Sequence, residues 1–475
     1  MTLGESVHVR SRAPSAGPRH ATLAGARVAP ALLTATVLLL FGGPATLGLT
    51  GTRLELPGRL ETLALLLLWV PAVMLVWSLL TPRFNIAEST YWAWSFVFLG
   101  LAPAYQVALL SFPWKGQLPL RAIEIAQSCV LVGHVAFFVG LKWLSRRLGP
   151  RRIRYPALAE EEGHGRVAAL LASLGLCYMG ACAVFAVLMS GALFRGRAEF
   201  RVRLLEIAEL PFGGLLYFLV TAGAITIPAA LIAARRSGVR VGGVALTCAW
   251  AAGALVTNPL IGSRFLTGSF LVATVIALVS ERNVLRYLPV ASIVLLVLVF
   301  PSLDVLRGDG SGSASIRFLD PQVSLMDQDF DAFEMGTREV GLSDEARGKL
   351  PTRSHILLAP VLRWVPILSR PYIGDSGGAL VAEVTGMQYT NVSMPLWAEG
   401  HLVGGLPGVC VFMALLGAWV GLTHRSKESA SQSTGEICRK ITLPGTTALL
   451  FIVLRGSLYE VLAYLALVGL VYVIV

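Results

Sequence analysis

Charged residues are scarce in this chain of 475 residues, since Asp, Glu, Lys and Arg together make up only 14% of it. Soluble globular proteins carry about 25%. Hydrophobic residues make up 55%, and they fall in continuous runs close to the roughly 20 residues that a helix needs to cross a bilayer. The scarcity of charge therefore excludes an ordinary soluble domain. Because the runs show no period of two, a transmembrane β-barrel is excluded as well.

Cysteine is also sparse, and its positions exclude two classes of site. None of the six cysteines lies in the long polar segment 304–400, so neither a disulfide scaffold nor a zinc site is indicated. The net charge of +11 comes from Lys and Arg in short connections between apolar runs. This distribution is typical of cytoplasmic loops in membrane proteins, and it argues against nucleic acid as a partner.

The apolar runs predict an all-α, polytopic membrane protein with about twelve spans and both termini in the cytoplasm. The most basic connection, KWLSRRLGPRRIRYPALAEEEGHGR, fixes one cytoplasmic side. A polar tail at 1–27 is expected to be disordered. Nine spans fill 28–303, and three fill 401–475. The first ten are expected at about 28–49, 62–80, 91–110, 122–141, 167–189, 211–233, 241–256, 265–280, 287–303 and 402–422.

Residues 304–400 are the one long polar interval, and they are predicted to form a large extracytoplasmic loop. Loops longer than about 15 residues are uncommon unless they are functional or disordered. This one contains apolar, helical-looking runs, so it is expected to fold into short helices and to hold most of the chemistry. Its arginines Arg307, Arg363 and Arg370 are candidates for substrate binding.

The connection FRGRAEFRVR carries four arginines on the predicted outer side, against the usual bias. In a helix, Arg197 and Arg201 share a face, and the planar guanidinium binds phosphate with two hydrogen bonds. Arg195, Arg197 and Arg201 are therefore candidates for an anionic lipid phosphate. The alternative, equally weighted, is an interfacial helix whose charges touch headgroups, with Arg203 paired to Glu199.

Arg264 and Arg455 each lie at the outer end of an apolar run and next to a small residue. Charged residues within spans are costly and are functional candidates by default. Two of them on one side predict a common anionic site, with Glu460 close to Arg455 in sequence. The alternative is that both side chains reach out to lipid headgroups.

Acidic residues cluster in MDQDFDAFEM, where Asp331 is a candidate base. The Gly and Glu that a calcium hand requires are replaced by Ala332 and Arg338, so a calcium hand is excluded. A solvated turn before a short helix is favoured, with a Mg²⁺ site as the weaker alternative. Glu399 and His401, just before the tenth span, are candidate general bases at the membrane boundary. For His401 a helix-end contact is the favoured alternative. Asn391 nearby is a candidate for substrate binding.

Five stretches together resemble the O-antigen polymerase, or oligosaccharide repeat unit polymerase, family over roughly residues 210–460. They are IGSRFLTGSF, DFDAFEM, APVLRWVPILSRP, TNVSMPLWAEG with the glycines that follow it, and LRGSL. A typical member has a more tyrosine-rich segment where WAEGHLVGG stands in this chain. The motifs are loose, because such polymerases diverge widely.

The resemblance implies a metal-independent membrane glycosyltransferase without a cofactor, in the bacterial cytoplasmic membrane. It would move a growing glycan from one undecaprenyl-pyrophosphate carrier onto another lipid-linked repeat unit. Arg264 and Arg455 would hold the pyrophosphate, and Arg197 and Arg201 a second lipid phosphate. Glu399 would be the base, with His401 or Asp331 in reserve. Membrane lipids, a chain-length regulator and a flippase are the partners it implies.

Three other classes stay open. An O-antigen ligase-type transferase shares the lipid donor but uses another acceptor. A lipid-linked oligosaccharide transporter would show mid-span charges and repeated halves, which this sequence lacks. A structural membrane subunit of an envelope assembly would tolerate the loss of Arg264 or Arg455.

Overall fold

The structure is a computed structural model of the chain. It describes residues 19–51, 57–114, 116–148, 160–194, 197–210, 212–259, 263–279, 281–299, 324–362, 376–389, 392–424 and 434–456, and residues 461–469 except 463 and 466. Within these ranges the protein consists of helices and turns, with no strand. The prediction of an all-α polytopic membrane protein is confirmed at this level.

Eight helical segments are long and apolar enough to cross a membrane. They are Ala26–Gly51, Gly58–Leu80, Ile86–Leu109, Leu120–Arg147, Val167–Met189, Gly213–Arg236, Arg282–Val299 and Leu396–Thr423. Two shorter apolar helices, Gly243–Val256 and Arg264–Leu278, lie where the seventh and eighth spans are expected. The predicted number of twelve stays a prediction, since most of the last expected span lies outside the described residues.

The helices in the first part of the chain are numbered in order. Helix α1 is Arg19–Gly51, α2 Gly58–Leu80, α3 Ile86–Ser95, α4 Ala102–Leu109, α5 Leu120–Val139, α6 Ser145–Leu148, α7 Glu160–Met189, α8 Arg197–Ala208, α9 Gly213–Arg236, α10 Gly243–Val256, α11 Arg264–Leu278, α12 Arg282–Leu285 and α13 Leu288–Val294. Helix α1 begins at Arg19, so the predicted disordered tail 1–27 is wrong for residues 19–27.

The remaining helices follow the described start of the polar segment at residue 324. They are α14 Ala332–Val340, α15 Asp344–Gly348, α16 Arg353–Leu362, α17 Gly377–Val384, α18 Leu396–His424 and α19 Thr434–Arg455. The described parts of 304–400 thus contain short helices, as expected. Those helices contain buried apolar side chains, among them Phe330 and Phe333, so this segment packs onto the bundle.

Helices α3 and α4 form one central span joined by a π-helical turn, Phe96–Leu101. Nearly every residue of this span is buried, because α2, α13 and α19 pack around it. At Gly100 an added Cβ would lie 2.8 Å from the carbonyl oxygen of Leu67, so glycine allows α2 to approach the turn. Wide turns of this kind often occur at functional sites.

Basic side chains make polar contacts at one end of the bundle. There Lys142 lies 2.9 Å from Glu88, and the guanidinium of Arg286 donates to the carbonyl of Thr81. At the opposite end the connection after α4, the first residue of α11 and the described part of 324–362 come together. We call this the loop end, and the candidate site lies there.

Helix α18 is two helical arms that meet at a sharp reversal. Gly405 has φ 60° and ψ −149°, a conformation essentially restricted to glycine. Across the turn the backbones nearly touch, since a Cβ on Gly408 would lie 2.0 Å from the carbonyl oxygen of Gly400. The arm 396–404 therefore folds back on the arm 406–424, and only the second arm has the direction of a span.

Replacing Gly408 with Ala should destabilise the protein, because the new methyl group would collide with the Gly400 carbonyl rather than with a flexible side chain. Overpacking of this kind costs about 1–3 kcal/mol. Thermal unfolding in detergent measures it. Gly404→Ala is the matched control, since a Cβ there meets nothing within 4 Å. Equal melting temperatures for the two variants would contradict the reversal.

Candidate functional site

Two arginines and one carboxylate meet at the loop end. Arg264 and Arg455 both form ion pairs with Asp329, and the Arg455 Nη2 atom lies 3.3 Å from Asp329 Oδ1. The Arg264 side chain is 6% exposed and that of Asp329 11%. Both arginines therefore contact protein rather than lipid headgroups, and the alternative in which they reach out to the headgroups is wrong.

The helices that carry the two arginines explain their convergence. Arg264 is the first residue of α11 and Arg455 the last residue of α19, and these helices pack tightly together. The guanidinium carbon of Arg455 lies 3.5 Å from the centre of the Phe265 ring, a cation–π contact that fixes its plane. The Met394 amide donates to the Arg455 carbonyl, which ties residues 392–395 to the same point.

Asp331 lies beside this ion cluster. Its Oδ2 atom accepts from the Trp114 indole at 2.8 Å and from the Ser393 amide at 3.3 Å. Its Oδ1 atom is 4.0 Å from Nε of Arg455. The side chains of Asp331 and Asp329 are only 1% and 11% exposed, so the expected solvated turn is wrong, while the short helix after it is confirmed. Phe330 between these acids and Phe333 just after them are fully buried, and their burial holds the turn against the protein.

Glu334 extends the polar cluster along α14. One of its oxygens accepts from Arg338 at 2.6 and 2.9 Å, and the other accepts from the Trp114 amide at 2.9 Å. Burial raises the pKa of this carboxyl above its ordinary value, and nearby Asp331 adds to the rise. The Trp114 amide and Arg338 act in the opposite direction but do not outweigh burial.

His401 pairs with a carboxylate that the sequence did not single out. Its Nδ1 lies 2.8 Å from Oε2 of Glu339, which is fully buried. The other Glu339 oxygen is 3.5 Å from Arg347. A carboxylate on one ring nitrogen fixes the orientation of an imidazole and leaves the other nitrogen for chemistry. The contact lies near a helix end, as the favoured alternative expected, yet it also suits a general base.

Glu399 lies on the short first arm of α18, in its first turn. It is 4% exposed, and a Cβ on Gly377 would be 2.8 Å from its Oε1 atom. The first residue of α17 therefore packs directly against this carboxylate. The structure brings Glu399, His401, Asp331 and the two arginines to the same end of the bundle.

Gln106 anchors the polar segment to the bundle. It is fully buried in α4, and its amide group donates to the carbonyls of Leu325 and Phe330 at 3.1 and 3.0 Å. The Phe330 ring stacks on Phe98 of the π-helical turn. Sequence reasoning missed Gln106, Trp114 and Glu339 because nothing in their local pattern indicates their partners, which are far away in the chain.

The arginines after α7 are only partly described. Arg201 is exposed on α8, and Arg197 is the first residue of that helix. Arg203 donates to the carbonyl of Leu188 at 3.0 Å and pairs with Glu206, so the predicted Arg203–Glu199 pair is wrong. The other candidates lie outside the described residues: Arg195, Arg307, Arg363, Arg370, Asn391 and Glu460.

In the part of the chain that the structure describes, no three His, Cys, Asp or Glu side chains lie close enough together to hold a metal ion. Comparisons with known proteins add no identification, since no family model, curated protein or solved structure matches this chain.

The free energy of unfolding should fall as pH rises, because Glu334 loses its proton in the folded protein. Because its pKa is raised in the folded state, the stabilising contribution of the protonated form is complete below the ordinary glutamate pKa of about 4.3. It is lost as pH rises through the folded-state value. Relative to Glu334→Gln, the wild-type melting temperature in detergent should decline with pH above that range.

Glu345→Gln is the control, because Glu345 is exposed on α15 and its side chain is 82% accessible. Its pH profile should follow the wild type. If Glu334→Gln and the wild type show the same pH dependence, the raised pKa is contradicted.

Proposed function

We propose that this protein is a membrane glycosyltransferase that polymerises undecaprenyl-pyrophosphate-linked oligosaccharide repeat units into a surface polysaccharide. The reaction would take place at the outer face of a bacterial cytoplasmic membrane, with both termini in the cytoplasm. The loop end would then face outward. The basic residues at the other end, such as Lys142, Arg146 and Arg147, support this orientation.

The observation that carries the proposal is the convergence of Arg264 and Arg455 on one oxyanion. Asp329 supplies that oxyanion within the chain. Carboxylates and phosphates both accept the paired hydrogen bonds of a guanidinium, so the same two side chains are suited to a pyrophosphate. In the proposed donor complex, the lipid pyrophosphate takes the position of the Asp329 carboxylate.

The chemical need for such a pair follows from the leaving group. When the bond between the sugar and the pyrophosphate breaks, negative charge develops on the departing oxygen. Preorganised cations in a water-poor site stabilise that charge and commonly supply the largest catalytic term. The acceptor hydroxyl attacks the sugar carbon, loses its proton to a base and forms the new glycosidic bond, while the lipid pyrophosphate leaves as the anion.

Glu399 is the proposed base, with His401 as the reserve. Asp329 is ill suited, because its carboxylate is already paired with both arginines. Asp331 is less suited, because its Oδ2 atom already accepts from the Trp114 indole and the Ser393 amide. Glu399 lies in a first helical turn, close to the glycine backbone of α17. The Glu339 contact supports His401 as the alternative.

The sequence resemblance to O-antigen polymerases agrees with this geometry, since its matching stretches DFDAFEM, IGSRF and LRGSL supply Asp329, Arg264 and Arg455. A chain-length regulator and a flippase are the partners that such a polymerase would need. An O-antigen ligase or a lipid-linked oligosaccharide transporter are the competing assignments, and the following experiment separates them.

Arg264→Ala and Arg455→Ala should each reduce the surface glycan to single repeat units, because the pyrophosphate charge is no longer stabilised. Glycan length on a gel, with membrane expression checked, is the measurement. Arg235→Ala is the matched control, since Arg235 is exposed at the opposite end of α9. Losing one charge-stabilising donor typically costs about 100- to 1,000-fold in rate.

The double variant Arg264→Ala/Asp329→Asn separates catalysis from folding. Removing Arg264 alone leaves Asp329 with one cation fewer, which destabilises the buried cluster. If the arginine serves only to neutralise Asp329, the double variant regains polymer. If it binds pyrophosphate, the double variant stays inactive although its expression recovers.

Other outcomes in the single variants would reassign the protein. Complete loss of surface glycan, with polymer of normal length on its lipid carrier, would indicate a ligase. Repeat units held in the cytoplasmic leaflet would indicate a transporter. An unchanged glycan ladder would leave only a structural role for the arginines.

A further inference from the structure

An apolar groove lies between α7 and α10, away from the arginine pair. Its volume is about 240 Å³. Pockets that enclose a whole small ligand usually measure about 300–1,000 Å³, so this groove suits a segment of a hydrocarbon chain. The lining includes apolar side chains and two cysteines: Met179, Cys182, Phe185, Leu193, Cys248 and Ala252.

The groove lies in the half of the membrane near the loop end. Leu193, which belongs to the turn after α7, closes it at that end, together with Leu255 and Val256 in the last turn of α10. The end of α10 is level with the start of α11, since the Thr267 hydroxyl donates to the carbonyl of Thr257. Arg264, at the start of α11, therefore lies near the same membrane boundary.

Helix α8, which carries Arg201, follows the turn that closes the groove. It starts three residues after the turn that contains Leu193 and packs against α7. Arg203 fastens it by donating to the carbonyl of Leu188, in the last turn of α7. Arg201 is exposed on this helix, as are Val202 and Leu205. Exposed arginine beside exposed apolar residues suits a helix lying in the headgroup region.

The groove and the arginine pair share one supporting helix. Helix α9 packs against α7 and α10, which enclose the groove, and also against α11 and α19, which carry Arg264 and Arg455. A polymerase of the proposed kind needs two lipid-linked substrates at once, a donor and an acceptor. The two sites around α9 provide one place for each.

We propose that the α7–α10 groove holds the isoprenoid chain of a second polyprenyl-phosphate carrier, with its phosphate at Arg201 of α8. The assignment rests on the proposed function for the choice of carrier over an ordinary phospholipid. The guanidinium of Arg201 is suited to pair with the anionic phosphate. The almost wholly apolar lining of the groove is suited to contact the isoprenoid chain. The side chains of Arg264 and Arg455 are only 6% and 18% exposed, and this enclosed pair is the proposed donor site. The more open groove is therefore assigned to the acceptor.

Native cysteines allow a direct test in the purified full-length protein. Cys248 lines the groove and is exposed, whereas Cys177 is exposed on α7 but does not line the groove. Undecaprenyl phosphate in detergent micelles should slow the labelling of Cys248 by a membrane-permeant maleimide and leave that of Cys177 unchanged. At ten times the dissociation constant the rate should fall about elevenfold, measured by mass spectrometry of each cysteine.

Two variants locate the binding. Ala252→Trp fills the groove and should abolish the protection of Cys248, while Val244→Trp, on an 81% exposed position of the same helix, should retain it. Arg201→Gln, which does not alter the groove, should weaken the protection several-fold. It keeps the test valid if the tryptophan variant misfolds.

Two lipid controls decide the occupant. Undecaprenol, which lacks the phosphate, and a phosphatidate, which lacks the isoprenoid chain, should protect Cys248 much less. Equal protection by phosphatidate would make this a general lipid site and overturn the assignment, as would no protection by any lipid. Either result would leave the polymerase proposal standing, because that proposal depends on Arg264 and Arg455.

Discussion

The buried ion cluster of Arg264, Arg455 and Asp329 is the interaction on which the loop end depends. Three parts of the chain, far apart in sequence, supply its members: the first residue of α11, the last residue of α19 and the turn before α14. Charges removed from water are costly unless they are paired and hydrogen-bonded. The cluster therefore persists only when all three parts are in place, and it couples the polar segment to the membrane helices.

Around this cluster, close backbone contacts set the positions of the candidate bases. The reversal at Gly405 turns the first arm of α18 back toward the bundle, so Glu399 and His401 come to lie at the loop end. Glycine at 336 has a similar role, because a Cβ there would be 2.3 Å from the Trp397 ring. Helix α14 can thus pack directly on the arm, and Glu339 reaches His401.

Much of the fold could be predicted because hydrophobic length is a local signal. Runs of about 20 apolar residues indicate spans whatever their partners. The reversal in α18 escaped prediction, because a run of apolar residues with glycines reads the same whether it is straight or folded back. Residues 19–27 were misjudged as well, since their polarity concealed a helix that continues into the first span.

The site was predictable in part. Arg264 and Arg455 stood out because charge at the end of an apolar run is costly, but the carboxylate they share did not, since Asp329 was one of three alternating acids. The position of the turn against the two arginines decides between those acids. That position depends on Phe98 and Gln106, more than 200 residues away in the chain. Contacts at that separation leave no trace in local composition, and for this reason Trp114 and Glu339 were missed too.

A double-mutant cycle on Arg455 and Asp329 measures whether the buried ion cluster stabilises the loop end. Arg455→Met, Asp329→Asn and the double variant are unfolded thermally in detergent, and the coupling free energy is obtained from the four stabilities. The buried pair predicts that the single changes are strongly destabilising, by about 3–5 kcal/mol when one partner is removed, and that the double variant loses much less than their sum. A coupling energy near zero would contradict the cluster.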